Sequence, residues 1–226
     1  MGIAERKERE KEKRRQDIIE SAEKVFFSKG IENATMDEVA EKAELSKGTL
    51  YLYFKNKEAL QFAIAIKGAE MLMQSFKNII NKQKSGLENL LDIGREFISF
   101  SRNNPDYFNM FMQFQGANAL PKMNQEETAR YFREQSPMAF VVEIVKEGIN
   151  DRSLRDDIPA GLLATTLWSQ MLGVMQVISN KKEIHSLFNI KPGEILQTHF
   201  ELVLNGAKKS EKISWNAEQQ NSKTYC

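Results

Sequence analysis

Cysteine is almost absent: Cys226 is the only one, and it is the last of 226 residues. A single thiol can build neither a disulfide framework nor a cysteine metal site, so a reducing interior is the natural compartment. Histidine is nearly as scarce. His185 and His199 fall on different predicted elements with no carboxylate at ligand spacing, so no metal or cofactor is expected. A Gly-rich phosphate loop, a nucleophile elbow and a His-Glu-x-x-His pattern are all missing, which leaves no catalytic constellation. Charge of one sign is not in excess either, at a net +1. The whole molecule is therefore no polycation, and any affinity for nucleic acid must come from a local patch. An apolar run near the start is lacking as well. The first apolar cluster waits until Ile18 and is broken by acids, unlike a secretory leader, so a cytoplasmic protein is expected.

What is present reads as helix after helix, with no convincing alternation of β-branched residues. The pattern predicts an all-α chain of about nine helices. Residues 1–15 alternate Glu with Lys and Arg, seven basic and four acidic side chains. They suit either a flexible arm reaching phosphate or a solvated helix extension with Glu–Lys pairing. From Asp17 the period changes, and Ile18, Ala22, Val25 and Phe26 share one helical face up to a stop at Gly30. Thr35 stands three residues before Glu38, the spacing of a capping box. The helix it opens is barely two turns long and ends near Glu44-Leu45. Ser46 caps a third helix reaching about Phe54, and Asn56 caps a fourth running towards Lys82.

Two short helices joined by a tight turn have the geometry of a helix-turn-helix. Ala40 is small enough for a close crossing. Leu45, Leu50 and Phe54 can anchor the second helix, leaving Lys47, Gly48, Thr49, Tyr51 and Tyr53 outward. Between Leu45 and Lys57 there are three lysines, Lys47, Lys55 and Lys57, and no acid. This is the local patch that the overall charge requires. Gly48 admits close approach to DNA, Thr49 can donate to phosphate or touch a thymine methyl, and tyrosine hydroxyls are phosphate donors.

The run Thr35-Met36-Asp37-Glu38-Val39-Ala40, followed by Ser46-Lys47-Gly48-Thr49-Leu50-Tyr51-Leu52-Tyr53-Phe54-Lys55-Asn56-Lys57-Glu58, resembles the DNA-binding signature of the TetR (tetracycline-repressor-like) regulators. The resemblance spans about Asp17 to Leu60. It departs at Glu44, where many members have glycine; a left-handed backbone there would cost a non-glycine residue about 1 kcal/mol. The resemblance implies that the helix capped by Ser46 lies in the major groove. Lys47, Gly48, Thr49 and Tyr51 would be nearest the bases and phosphates, Ser46 at the helix start also belongs to the DNA-binding set, and Thr35, Tyr53 and Lys57 would grip the backbone. It also implies a homodimeric repressor, released from a palindromic operator by a small apolar or aromatic effector. The expected division is an arm and helix-turn-helix domain over 1–66, an effector-binding and dimerisation domain over 67–207, and a polar tail over 208–226. The rival expectation is a small-molecule-binding protein or enzyme that retains a non-functional helix-turn-helix.

The remaining pattern places helices at about Leu87–Arg102 and Pro105–Gln115, a loop over Gly116–Met123, and a long helix from Gln125 to Asn150 that Pro137 should kink or break. Pro159 and Pro192 open the last two. No charge occurs from Ile158 to Asn180, a length that could span a membrane. Thr165, Thr166, Ser169, Gln170 and Gln176 interrupt it, so no membrane contact is expected. A helix apolar on nearly all sides needs two partners, and the last helix is apolar on more than one face. Together they can form a four-helix bundle with a second copy. Phe100, Tyr107, Phe111, Met112, Trp168, Met171 and Met175 are candidates for an effector pocket, although plain core would hold the same residue types. His199 is expected at the interface or the pocket edge.

Overall fold

The computed structural model describes residues 2–113, 136–180 and 187–208. Among them are nine helices and no strand: α1 (Ile3–Lys29), α2 (Met36–Lys42), α3 (Lys47–Tyr53), α4 (Lys57–Ile79), α5 (Gly86–Asn103), α6 (Pro105–Gln113), α7 (Pro137–Asn150), α8 (Ala160–Asn180) and α9 (Pro192–Ala207). The expected loop over Gly116–Met123, most of the expected tail and His185 lie outside the described residues.

Residues 1–15 resolve in favour of the helix extension. α1 is continuous from Ile3, and its first four turns are solvated and laced by pairs such as Arg6–Glu10 at 2.8 Å. From Ile18 the same helix turns apolar, and Ile18, Ala22 and Phe26 sink into the core. Gly30 ends it with a φ of 77°, a conformation that glycine adopts without strain.

Two apolar clusters share one helix. The first half of α4, through Leu60 and Ile64, packs with α1, α2 and α3. Its second half, through Leu72 and Phe76, packs with α5, α7 and α8. α6 also belongs to both. Met110 is buried in the N-terminal cluster, Phe108 and Phe111 in the C-terminal one, and Tyr107 touches each. A displacement of α4 or α6 is therefore felt on both sides.

Helix starts follow local chemistry. Ser85 caps α5 with Glu88 reaching back to it, and Ser136 caps α7 with Pro137 as its first residue. Pro137 thus begins a helix, and the part of the expected long helix from Gln125 to residue 135 lies outside the described residues. The α5 terminus has further partners: Gly86 N–H donates to Asp151 Oδ2 at 2.7 Å and Leu87 N–H to Ser153 Oγ at 3.0 Å. Burial disfavours the Asp151 carboxylate, yet hydrogen bonds from Ser153 and Gly86 outweigh it and hold its pKa below the usual value. At the other end of the domain Arg155 donates to the carbonyls of Ala207 and Gly206, closing the C-terminus of α9.

The α5–α7 crossing depends on glycine. A Cβ at Gly86 would stand 2.2 Å from the backbone nitrogen of Gly148. Gly86→Ala must therefore separate two backbones and is expected to cost about 3 kcal/mol, the upper part of the usual overpacking range. Thermal unfolding should fall by roughly 6–12 °C for a chain of this size; an unchanged midpoint would contradict the crossing.

Candidate nucleic-acid interface

The turn between α2 and α3 is built from its backbone outward. Thr35 Oγ1 accepts from Glu38 N–H while Glu38 accepts from Thr35 N–H, so the capping box is complete. The Lys29 ammonium, and then the Thr35 N–H, hold the Glu38 carboxyl below its usual pKa. After α2 the chain reverses at Glu44, whose φ is 56°, and Leu45 N–H returns to Ala40 C=O at 2.9 Å. The turn is left-handed at the position occupied by glutamate, so the cost of about 1 kcal/mol applies. Ser46 then caps α3, accepting from Thr49 N–H at 3.1 Å.

α3 divides into two faces. Leu50 is 0% exposed and Phe54 is buried, both in one cluster with Val39 and Ala40. The guanidinium of Arg15 lies 5.2 Å above the Phe54 ring, tying α1 to the end of α3. Lys47, Gly48 and Tyr51 face solvent. Gly48 would meet only Ser46 Oγ, at 3.9 Å, so its surroundings are open. Thr49 and Tyr53 are half-buried: Thr49 shares a 2.8 Å hydrogen bond with Ser46 Oγ, and Tyr53 packs against the N-terminal cluster. Leu52, not anticipated, stands 84% exposed on the same helix.

Two expected contacts change meaning in three dimensions. Lys47 pairs with Asp37 of α2, so the patch that is acid-free along the chain is not acid-free in space. Lys57 turns inward. Its Nζ donates to the carbonyls of Ile31 at 2.8 Å, Ala34 at 3.1 Å and Glu32 at 3.4 Å. It therefore clamps the α1–α2 connection, with its ammonium committed to the protein's own backbone. Lys55 and Tyr51 remain exposed beside α3.

The expected effector pocket is also redistributed. A cavity of about 50 Å³ lies between α5, α7, α8 and α9. Trp168 and Met171 line it, joined by Phe97, Gly94, His199 and Phe200. Phe100, Phe111 and Met175 are buried core outside its wall, and Met112 packs against that core from its edge. Tyr107 belongs elsewhere, at the junction of the two clusters. There it stacks edge-on against Phe27 at 5.1 Å, beside the pair of Lys67 and Glu23, 2.8 Å apart. Burial, and then the hydrogen bond to Glu23, push the Tyr107 hydroxyl above its usual pKa. The missed wall residues carry no distinctive spacing. Gly94 matters because a Cβ there would fall 2.7 Å from the Phe200 ring.

Residues 18–64 match the family described as bacterial regulatory proteins, tetR family. The HTH-type transcriptional repressor KstR2 of Mycolicibacterium smegmatis is 25% identical over 151 residues, 66% of this chain and 72% of that protein. An HTH-type transcriptional regulator of Staphylococcus aureus (strain USA300) is 34% identical over 74 residues, 33% of this chain and 40% of that regulator's length. In fold, a transcriptional regulator of the TetR/AcrR family from Thermobifida fusca is similar, with a TM-score of 0.62 at 22% identity, over 87% of this chain and 100% of that one.

Glu44→Gly is expected to stabilise the protein by about 1 kcal/mol by relieving the left-handed turn. A rise of roughly 2–4 °C in melting temperature checks this; a fall would contradict it. The two lysines should separate in DNA titrations across salt concentrations. Lys47→Ala is expected to lower the salt slope by about one unit with little change in stability. Lys57→Ala should instead lower stability by about 1–2 kcal/mol, because charged hydrogen bonds are lost, and leave the salt slope unchanged.

Proposed function

We propose that this chain is a TetR-family transcriptional regulator, a homodimeric repressor that a small, largely apolar effector releases from a palindromic operator. The observation that carries the reading is the two-faced α3, with Leu50 and Phe54 sealed inside and Lys47, Gly48 and Tyr51 turned outward. In the proposed complex α3 enters the major groove, where Lys47 exchanges Asp37 for phosphate and Tyr51 donates to the backbone or reads a base edge. Thr49 and Ser46 approach at the helix start. Thr35 and Tyr53 flank the groove. Lys57 contributes by holding the α1–α2 connection in place.

A dimer is supported by what α8 and α9 leave uncovered. They pack on one another and on the core, yet Leu162 on α8 is 60% exposed and Leu202 on α9 is 68% exposed. Gly161, Thr165, Ser169 and Gly173 follow one another at intervals of four along the exposed side of α8. Such a line of small residues permits close helix approach, and a two-fold axis beside it makes a four-helix bundle. By length and composition alone, α8 could also cross a membrane. Its exposed Thr165, Thr166, Ser169 and Gln170 suit a partner helix better than lipid. Two recognition helices held by one dimer match two half-sites on one face of the duplex.

Regulation in this reading runs through α6. The cavity residue Phe97 stands 5.2 Å from Phe108 and 6.4 Å from Phe111, and Trp168 stands 6.4 Å from Phe111. On the opposite side of α6, Tyr107 and Met110 join the DNA-binding cluster. An occupant that displaces Phe97 or Trp168 pushes α6, and with it α4, changing the separation of the two α3 helices. A coupling of about 1–3 kcal/mol would lower operator affinity roughly 5- to 150-fold.

The test is a mobility shift with DNA from upstream of the protein's own gene, run beside analytical ultracentrifugation. The wild type is expected to sediment as a dimer and to shift that DNA in preference to unrelated sequence. Leu202→Glu should yield a helical monomer whose operator affinity falls by about 100-fold or more, because two half-site contacts no longer act together. A monomeric wild type, or a Leu202→Glu variant that binds normally, would sink the proposal.

A further inference from the structure

The cavity between α5, α7, α8 and α9 is apolar except at one point. Phe97, Trp168, Met171 and Phe200 are among the residues that line it, and no Lys, Arg, Asp or Glu is among its described lining residues. The exception is His199 on α9, a lining residue only 9% exposed, whose imidazole makes no hydrogen bond among the described residues. Its ring neighbour among the described residues is Phe200, at 5.7 Å between centroids. A polar ring in an otherwise apolar wall has no protein partner among the described residues, so whatever fills the space beside it must supply one. Here the missing partner has a place to come from.

We infer that this cavity takes a predominantly apolar molecule bearing a single uncharged polar group, such as a hydroxyl or a carbonyl, with that group hydrogen-bonded to His199. The inference rests on the effector-responsive reading above and names the chemical class of the effector. A neutral imidazole offers one N–H donor and one ring-nitrogen acceptor, so it can serve either end group. Burial alone lowers the His199 pKa, so the ring is neutral near pH 7. A carboxylate entering this wall would find no cation opposite it, and an ammonium no anion. Either would lose its hydration without compensation. The volume of about 50 Å³ is smaller than such a molecule, so side chains must yield. Met171, unbranched and adaptable, and the Phe200 ring seated over Gly94 are placed to do so.

Three probes of equal chain length decide the matter: 1-octanol, octanoate and octylamine. They are titrated at pH 7.5 against the full chain carrying Trp215→Phe, which leaves Trp168 as the only one of the two tryptophans and places the reporter in the cavity wall. The alcohol is expected to quench or shift Trp168 emission at concentrations at least tenfold below either charged probe. His199→Phe keeps a ring but removes its polar atoms, and should weaken octanol about five- to tenfold, the range for one lost hydrogen bond. His199→Gln, which keeps a donor and an acceptor, should restore most of that loss. Octanoate or octylamine binding as tightly as octanol overturns the inference. So does the absence of binding by all three, or a His199→Phe variant that binds octanol unchanged. Mobility shifts of the same ligand-free proteins on operator DNA keep the two readings apart. Lost ligand selectivity with intact DNA binding refutes only the effector class, and selective ligand binding without DNA binding refutes the repressor.

Discussion

Burial of Leu50 and Phe54 is the constraint on which the outward face of α3, proposed to meet DNA, depends. A helix of seven residues has little stability of its own. It persists here because its cap satisfies the first turn and its apolar side is sealed against α1, α2 and the start of α4. Once that side is fixed, the opposite side has no freedom to choose: Lys47, Gly48 and Tyr51 must face outward. The strained turn at Glu44 is tolerated because it sets the angle at which α3 leaves α2.

The same economy of parts links the two ends of the molecule. α4 belongs to both apolar clusters, and α6 lies where they meet, with Tyr107 touching each. At that junction Glu23, 7% exposed, is paired with Lys67, whose ammonium lies 5.6 Å from the centre of the Tyr107 ring. A polar cluster in so dry a place fixes the position of α1 relative to α4 and α6 more narrowly than apolar packing would. Gly68 lets the α6 backbone come close, since a Cβ there would stand 3.1 Å from the Tyr107 carbonyl oxygen. Contacts between neighbouring elements thus connect the cavity wall to the cluster that holds α3, without a long-range field.

Much of this was legible in the amino-acid sequence because it is written locally. The caps at Thr35, Ser46 and Asn56 bond to backbone groups only three residues ahead, so spacing alone reveals them. The left-handed backbone at Glu44 was signalled only by the resemblance, since many members of that family have glycine there. What spacing could not reveal depends on distant partners. Lys57 finds the carbonyl of Ile31, 26 residues away, and Lys47 finds Asp37 on another helix. Both looked like free cations along the chain. The cavity was harder still. Phe100 and Phe97 are indistinguishable as aromatic residues of one helix, and only packing places Phe97 on the wall and Phe100 in the core. His199 stood out by composition, but its lack of a partner is a property of the fold.

The central claim is that one outward helix face is offered twice to a duplex by a symmetric pair. Hydroxyl-radical footprinting on the DNA upstream of the gene tests it most directly. Two protected half-sites related by a two-fold axis, separated by about one helical turn or a whole multiple of it, are expected. A single protected patch without a symmetric mate, or uniform protection that ignores sequence, would contradict the account.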